Sequence, residues 1–351
     1  MKLLKVVLML ALCAAALGAA NAQTASGTIT LYTSESEQQV NEMVADFNRF
    51  YPDVNVEIFR AGTGEVIAKL QAEMEAGQIL ADLIWFADID FFTTLAERGM
   101  LTPYIPLGAE NIADEFTYMD GAFHEVRLIF NVVAFNTTLV EEPPTAWADM
   151  IDPIYRNRVT MPSALVSGAA FNQFATFVNN PNFGLEFYEA LNANGIVVER
   201  ANGAVAEKIA AGEYAIGQLV DFMARNAARQ GSPVGYVYPE EGAMLVPTPI
   251  GILANTDNLT AAQAFLDYLY TEDAQKLFAQ QSYIPVLPSA GLPEGMPANI
   301  LERLEMEATP EADAVTSVLP GVTIIRPDLD YIRPNRQELR AKFEELFGAP
   351  A

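Results

Sequence analysis

The chain has 351 residues, 51% of them hydrophobic, and a formal net charge of −25. Such acidity argues against nucleic acid and anionic membrane surfaces as partners, because like charges repel. A single cysteine, Cys13, and a single histidine, His124, exclude a disulfide framework, Cys/His zinc centres and most catalytic triads.

Lys2 and Lys5 precede an apolar run from Val6 to Leu17, and small residues end at Ala20-Asn21-Ala22. This reads as a signal peptide over residues 1–22, cleaved after Ala22, with a lipid anchor on Cys13 as the weaker alternative because Leu12 directly precedes it. The apolar run is too short to span a bilayer, and none after it is long enough. The expected location is therefore periplasmic or otherwise extracytoplasmic, and the remaining length predicts about two domains.

Thr28 to Thr33 alternates like a strand, and Ser34-Glu35-Ser36-Glu37 reads as a capping run for a helix using Val40, Met43, Val44 and Phe47. A second alternating run, Val54, Val56 and Ile58, arrives at Gly62-Thr63-Gly64, and a helical pattern with Val66, Ile67 and Leu70 leaves it. Backbone N–H groups converge at such a helix start, so this loop is either an anion seat or a plain turn. No Gly-Lys-Ser/Thr follows, which excludes a nucleotide phosphate loop. A third unit, Ala81 to Phe86, is a continuous apolar run followed by Asp88-Ile89-Asp90 and a helix through Phe92 and Leu95. Three such units predict a parallel sheet flanked by helices, with strand ends at 33–36, 61–64 and 87–90 lining one crevice.

The extended run 125–135 predicts a strand crossing to a second α/β region, with a hinge near it. Beyond the stiff Pro143-Pro144 connector, Val159-Thr160-Met161-Pro162 leads to Ser163 and then Ser167-Gly168-Ala169-Ala170, ahead of a helix through Phe174 and Val178. This second Ser/Gly helix start suits an anion or serves as a cap. A helix begins near 203, the strand 214–220 ends at Asp221-Phe222, and a helical run covers 223–230. Strands at 234–237 and 246–253 flank Pro239-Glu240-Glu241-Gly242 and offer a second crossing, while helices at 261–270, 273–281 and 336–346 complete the lobes. No repeat or low-complexity linker separates the two regions, so strands and not a flexible tether join them.

Taken in order, Thr30-Leu31-Tyr32-Thr33-Ser34, Arg60-Ala61-Gly62-Thr63-Gly64-Glu65, Ala81-Asp82-Leu83-Ile84-Trp85, Gly99-Met100-Leu101, Ser167-Gly168-Ala169-Ala170 and Tyr238-Pro239-Glu240-Glu241-Gly242 resemble the periplasmic solute-binding proteins of ABC importers. The branch they resemble contains ferric-ion-binding proteins and their phosphonate-, sugar-phosphate- and thiamine-binding relatives, and Glu272 to Phe278 looks like its "E-x-Q" helix. The resemblance implies an α/β, two-lobed type II periplasmic-binding-protein fold, each lobe a mixed, mostly parallel sheet flanked by helices, with the ligand enclosed between them. Residues 23–124 with about 238–300 would form the N-terminal lobe, and 125–237 with about 301–345 the C-terminal lobe. A monomer working with an ABC permease and ATPase follows, with no enzymatic activity and no cofactor.

Ferric relatives commonly use two adjacent tyrosines in the second lobe and a His or Glu from the first. Matched on the preceding strand and on Ala228-Arg229-Gln230-Gly231, the tyrosine pair falls on Asp221 and Phe222, the histidine-like position near Ser36, and the acidic one on Ala87 or Asp88. Tyr236 and Tyr238 are either substitutes or strand-packing residues; if iron is bound, Asp221 and Tyr238 are the candidate ligands. The retained Ser-Gly-Ala turn, which holds a companion anion in ferric relatives, implies instead a small phosphorylated or phosphonate-bearing solute. Its ligand set is Ser34, Ser36, Gly62, Thr63, Gly64, Ser163, Ser167, Gly168 and Ala169, with Asp221 and Asp88 accepting an amine and Phe222 forming an apolar wall. Asp221 reads equally as a cap for the helix after it. A secreted phosphate-ester hydrolase is the alternative of a different class, but His124 offers no metal-phosphatase cluster and Asp88 with Asp90 suits a helix start.

Overall fold

The first three strand–helix units form β1 (Gly27–Thr33), β2 (Val54–Arg60) and β3 (Leu83–Trp85), followed by α1 (Glu37–Phe50), α2 (Thr63–Glu75) and α3 (Ile89–Glu97). In the computed structural model, which describes residues 25–297, 315, 319 and 321–349, β1 pairs in parallel with both β2 and β3. The leader, Cys13 and most of 298–320 lie outside the described residues. Alternation along the strands feeds two cores: Ile29, Leu31, Leu83 and Trp85 face one side of the sheet, Tyr32 and Ile84 the other.

The long strand expected over 125–135 is broken. Its pieces are β5 (Phe123–His124), which pairs with β4 (Thr117–Tyr118) at the edge of the first sheet, β6 (Arg127–Leu128), and β7 (Phe130–Asn136), a central strand of the second sheet. Residues 125–129 thus carry the chain between lobes. The second sheet adds β8 (Val159–Pro162), β9 (Val197–Glu199), β10 (Ile216–Val220), β11 (Val234–Val237) and β12 (Ala243–Leu245). Its helices are α4 (Gly168–Asn179), α5 (Gly184–Ala193), α6 (Asn202–Ala211) and α7 (Asp221–Arg229).

The return crossing lies later than 238. Met244 pairs with Asn131 in the second sheet, and only β13 (Ile250–Ile252) rejoins the first, antiparallel to β3. The turn before β12 belongs to the second lobe because the Glu241 carboxylate accepts from the Trp147 and Ala148 N–H groups (3.0 and 3.1 Å) and the Trp147 indole donates to the Gly242 carbonyl (2.8 Å).

Helices α8 (Leu259–Leu269) and α9 (Glu272–Gln280) cover the first lobe, and β14 (Ile284–Pro285) pairs with β6 at the crossing. Gln275 of the "E-x-Q" helix is wholly buried there. Its amide donates to the Val126 and Leu269 carbonyls (2.9 and 2.8 Å) and accepts from the Val286 and Leu287 N–H groups (3.0 and 3.2 Å). After β15 (Ile324–Ile325), α10 (Leu329–Phe347) packs Ile332, Leu339 and Phe343 into the second-lobe core. It starts well before the expected 336, capped by Asp328 on the Tyr331 N–H (3.2 Å) and running through Pro334.

A buried polar network ties the two crossings together. Glu125 accepts from the Thr248 N–H (2.8 Å) and hydroxyl (3.0 Å), and Arg127 donates to the Thr248 hydroxyl oxygen (2.6 Å) and to the Glu35 carboxylate. Burial pushes the Glu125 carboxyl up to about 8 against the opposing pull of the Thr248 N–H and Arg127. The folded protein therefore holds a proton that the unfolded chain releases in the ordinary carboxylate range. That contribution to stability is complete below the unfolded pKa and is lost as pH rises through about 8. The expected outcome is that wild-type melting temperature, measured against Glu125→Gln by calorimetry, falls between about pH 5 and pH 9; parallel profiles would contradict it.

Candidate functional site

The two Ser/Gly helix starts meet. The Gly64 N–H donates to the Val166 carbonyl across the lobes (3.3 Å). A Cβ on Gly168 would fall 2.1 Å from the Ala87 carbonyl oxygen, one on Gly64 2.5 Å from that of Leu165, and one on Gly62 2.6 Å from Val166 Cγ1. Gly62 has an ordinary φ of −64°. These glycines are therefore needed for close approach of two backbones and not for a left-handed turn.

Beside this contact lies a cleft of about 90 Å³, lined by the ends of β1, β2, β8 and β10 and by the crossing residues Ile129, Val246 and Thr248. It gathers most of the expected set: Ser34, Ser36, Gly62, Thr63, Ser167, Gly168, Ala169 and Phe222. The run Ser34–Glu37 was expected to cap α1, yet Ser36 at the N-cap makes no side-chain capping bond; it lines the cleft instead. Thr63 begins α2 and Gly168 and Ala169 begin α4, so their N–H groups have no intrahelical acceptor, and none among the described residues supplies one. Both helix dipoles present their positive ends here.

Other expected residues stand elsewhere. Ser163 is wholly buried and shapes the turn, accepting from the Leu165 N–H (3.2 Å), while Gly64 lines a small neighbouring gap with Asp88. Asp88 caps α3 through the Phe91 N–H (3.0 Å) and forks onto Arg336, so it cannot receive a ligand amine in this arrangement. Asp221 is also committed. One oxygen accepts from the Phe130 and Phe222 N–H groups (3.1 and 2.9 Å), the other from Arg225 (2.9 Å) and the Tyr238 hydroxyl (3.0 Å), with no exposure to solvent. A buried carboxylate needs such partners, and Arg225 is four residues along the same helix.

The same network bears on iron. Tyr238 donates to Asp221 and receives Arg225 (2.9 Å), and burial together with Asp221 pushes its hydroxyl well above its ordinary value. Tyr236 is held by Arg225 Nε and the Gly295 carbonyl (both 3.0 Å). Neither tyrosine lines the cleft, and among the described residues no three His, Cys, Asp or Glu side chains converge on a metal position. His124 sits between Thr117 and the Tyr104 carbonyl, and burial lowers the pKa of its ring.

Sequence reasoning missed Arg60 and Asn202, which also line the cleft. Arg60 ends β2 and is steered by its Nε–H bond to the Glu35 carbonyl (2.9 Å); Asn202 donates to the Ser167 hydroxyl oxygen (3.0 Å). Arg60 was visible as the cation two residues before Gly62-Thr63-Gly64; Asn202 lies in a segment with no motif. Glu35 is the cleft's carboxylate, and Arg127 claims it. A second, polar cavity of about 850 Å³ adjoins, sharing Ser36, Gly203, Phe222 and Met223, and continues between α1, α6, α7 and α9.

Comparison with known proteins places this architecture. A periplasmic binding protein from Actinobacillus pleuropneumoniae, solved with fructose-6-phosphate bound, superposes with a TM-score of 0.75 at 21% identity, covering 92% of this chain and 99% of that one. The apo ferric ion-binding protein A of Pasteurella haemolytica superposes at 0.71 with 16% identity, over 92% and 98% of the two chains. In sequence, a probable ABC transporter periplasmic-binding protein of Sinorhizobium fredii is 22% identical over 246 residues, 67% of this chain and 68% of its own. The family model of bacterial extracellular solute-binding proteins matches residues 78–310. With its two-lobed type II architecture, the chain belongs to that family and is an ABC-type solute-binding protein.

Proposed function

We propose that the protein captures a small phosphorylated or phosphonate-bearing solute and presents it to an ABC permease. The observation that carries this reading is the composition of the cleft. Two helix N-termini, Ser34, Ser36, Thr63 and Arg60 line one small space whose carboxylate, Glu35, is already paired. A trivalent cation would find the opposite of what it needs there. The cleft is of a size for a phosphate group, and the adjoining polar cavity offers room for a hydrophilic body attached to it. The amine-binding role expected of Asp88 and Asp221 is withdrawn, since both are held by arginines.

Inorganic phosphate, phosphomonoesters, phosphonates and Fe(III) can be screened by thermal shift, where a ligand at a hundred times its dissociation constant adds about 2.7 kcal/mol. Thr63→Asp is expected to abolish the anion response, because it places a carboxylate between the two helix starts; an unchanged response would remove this loop from the site. Arg60→Ala should weaken phosphate binding by about 1.5–3 kcal/mol and flatten its salt dependence, as read by calorimetric titration. Fe(III) is expected to give no tyrosinate charge-transfer band, and a band lost in Tyr238→Phe would favour the ferric reading instead.

A further inference from the structure

The C-terminal helix α10 is anchored in the second lobe, yet its first turns reach the other lobe. Arg336 forks onto both carboxylate oxygens of Asp88 and lies 3.2 Å from Asp90. Arg333 pairs with Asp90 at 3.0 Å and with Glu97 at 2.6 Å. All three acids stand on or directly before α3, whose Phe91 and Phe92 belong to a first-lobe core. Asp88 and Asp90 are 2% and 7% exposed, so their pairs with Arg336 are largely withdrawn from water, while the Arg333–Glu97 pair at the outer end is partly exposed. By contrast, another charged contact between lobes, Arg200 with Glu65, joins two exposed side chains and is weak for that reason.

We propose that Arg333 and Arg336 form a latch on Asp88, Asp90 and Glu97 that holds the lobes together, making them closure-determining residues for solute capture. Rotation about the crossings at 125–129 and 246–249 would carry α3 away from α10 and separate every one of these pairs. Asp88 and Asp90 would then face each other's charge without either cation. Arg336 would keep its stacking on Phe171 (4.8 Å), a second-lobe residue, so the latch opens at its acidic side. The latch also sits against the Gly64–Val166 contact, since Arg340, one turn further along α10, donates to the Leu165 carbonyl (2.9 Å). Closure is then set partly by protein charges, and apparent ligand affinity scales with the closed fraction: a fall to roughly one tenth weakens any ligand roughly ten-fold. This inference stands on the lobes and their ion pairs and does not depend on the ligand being an anion.

The test is small-angle X-ray scattering of the ligand-free protein. For wild type, raising salt from about 0.05 M to about 1 M, where the screening length is about 3 Å, should increase the radius of gyration. The Arg333→Gln/Arg336→Gln double variant should be expanded already at low salt and insensitive to added salt. Asp90→Asn/Glu97→Gln, made from the first-lobe side, should shift the same way, and serves if the arginine variants fail to fold by circular dichroism. Arg336→Lys should recover part of the compaction. Lys342→Gln, which removes an ordinary surface pair with Glu338 on the same helix, should change nothing. Equal radii for wild type and both double variants, at both salt concentrations, would overturn the latch.

Discussion

The arrangement of both lobes depends on Arg127, a guanidinium with no exposure to solvent at the point where the chain first leaves the first lobe. A buried cation is costly unless paired and hydrogen-bonded. Here the partners come from separate stretches: the Glu35 carboxylate beyond β1, the Thr248 hydroxyl on the return crossing, and the faces of Tyr283 and Trp85 at 4.1 and 4.9 Å. The charge of Arg127 therefore fixes the two crossings relative to the first sheet, and it also removes Glu35 from competition in the cleft. Arg60 is positioned through the same residue, by the Glu35 carbonyl, so the hinge and the cleft share one piece of backbone.

Charge neutralisation is the theme that joins scaffold and site. A chain with a net charge of −25 repels anions at long range, and it has 45 acidic residues with which to spoil an anion site. The acids nearest the cleft are each spoken for: Glu35 by Arg127, Asp88 by Arg336, Asp221 by Arg225. The polar groups that remain at the cleft are serine and threonine residues, backbone N–H groups, Asn202 and Arg60, beside apolar Ile129, Val220, Phe222 and Val246. For the proposed anion, short-range donors and helix dipoles act over a few ångströms, within a Debye length, where the surface charge is only a diffuse field.

The glycines show how packing and function are coupled. Gly62, Gly64 and Gly168 leave no room for a side chain between the lobes, so two helix starts can approach until a backbone hydrogen bond links them. The same closeness leaves a cleft of small volume beside the contact.

By itself the sequence determined the three strand–helix units of the first lobe and the two Ser/Gly helix starts, because these are written in local periodicity and short contiguous motifs; the two-lobed fold came from the resemblance of the ordered motifs, and α5 and β9 were not read. It also carried the Gln275 helix signature, although the structural role of that side chain as a four-bonded plug at the crossing appears only in three dimensions. Tertiary structure decided the fate of the charged residues. Asp88 and Asp221 looked available because their partners are helical or distant: Arg225 one turn on, Tyr238 just past another strand, Arg336 on a helix 248 residues away. The sequence pattern starts the last helix at 336, whereas in the structure it starts at Leu329 and runs through Pro334, which brings Arg333 into it. The return crossing was misplaced because an apolar strand such as β12 suits either sheet, and only the pairing of Met244 with Asn131 chooses between them. Local patterns state what a segment becomes; which buried charge meets which partner is a property of the closed chain alone.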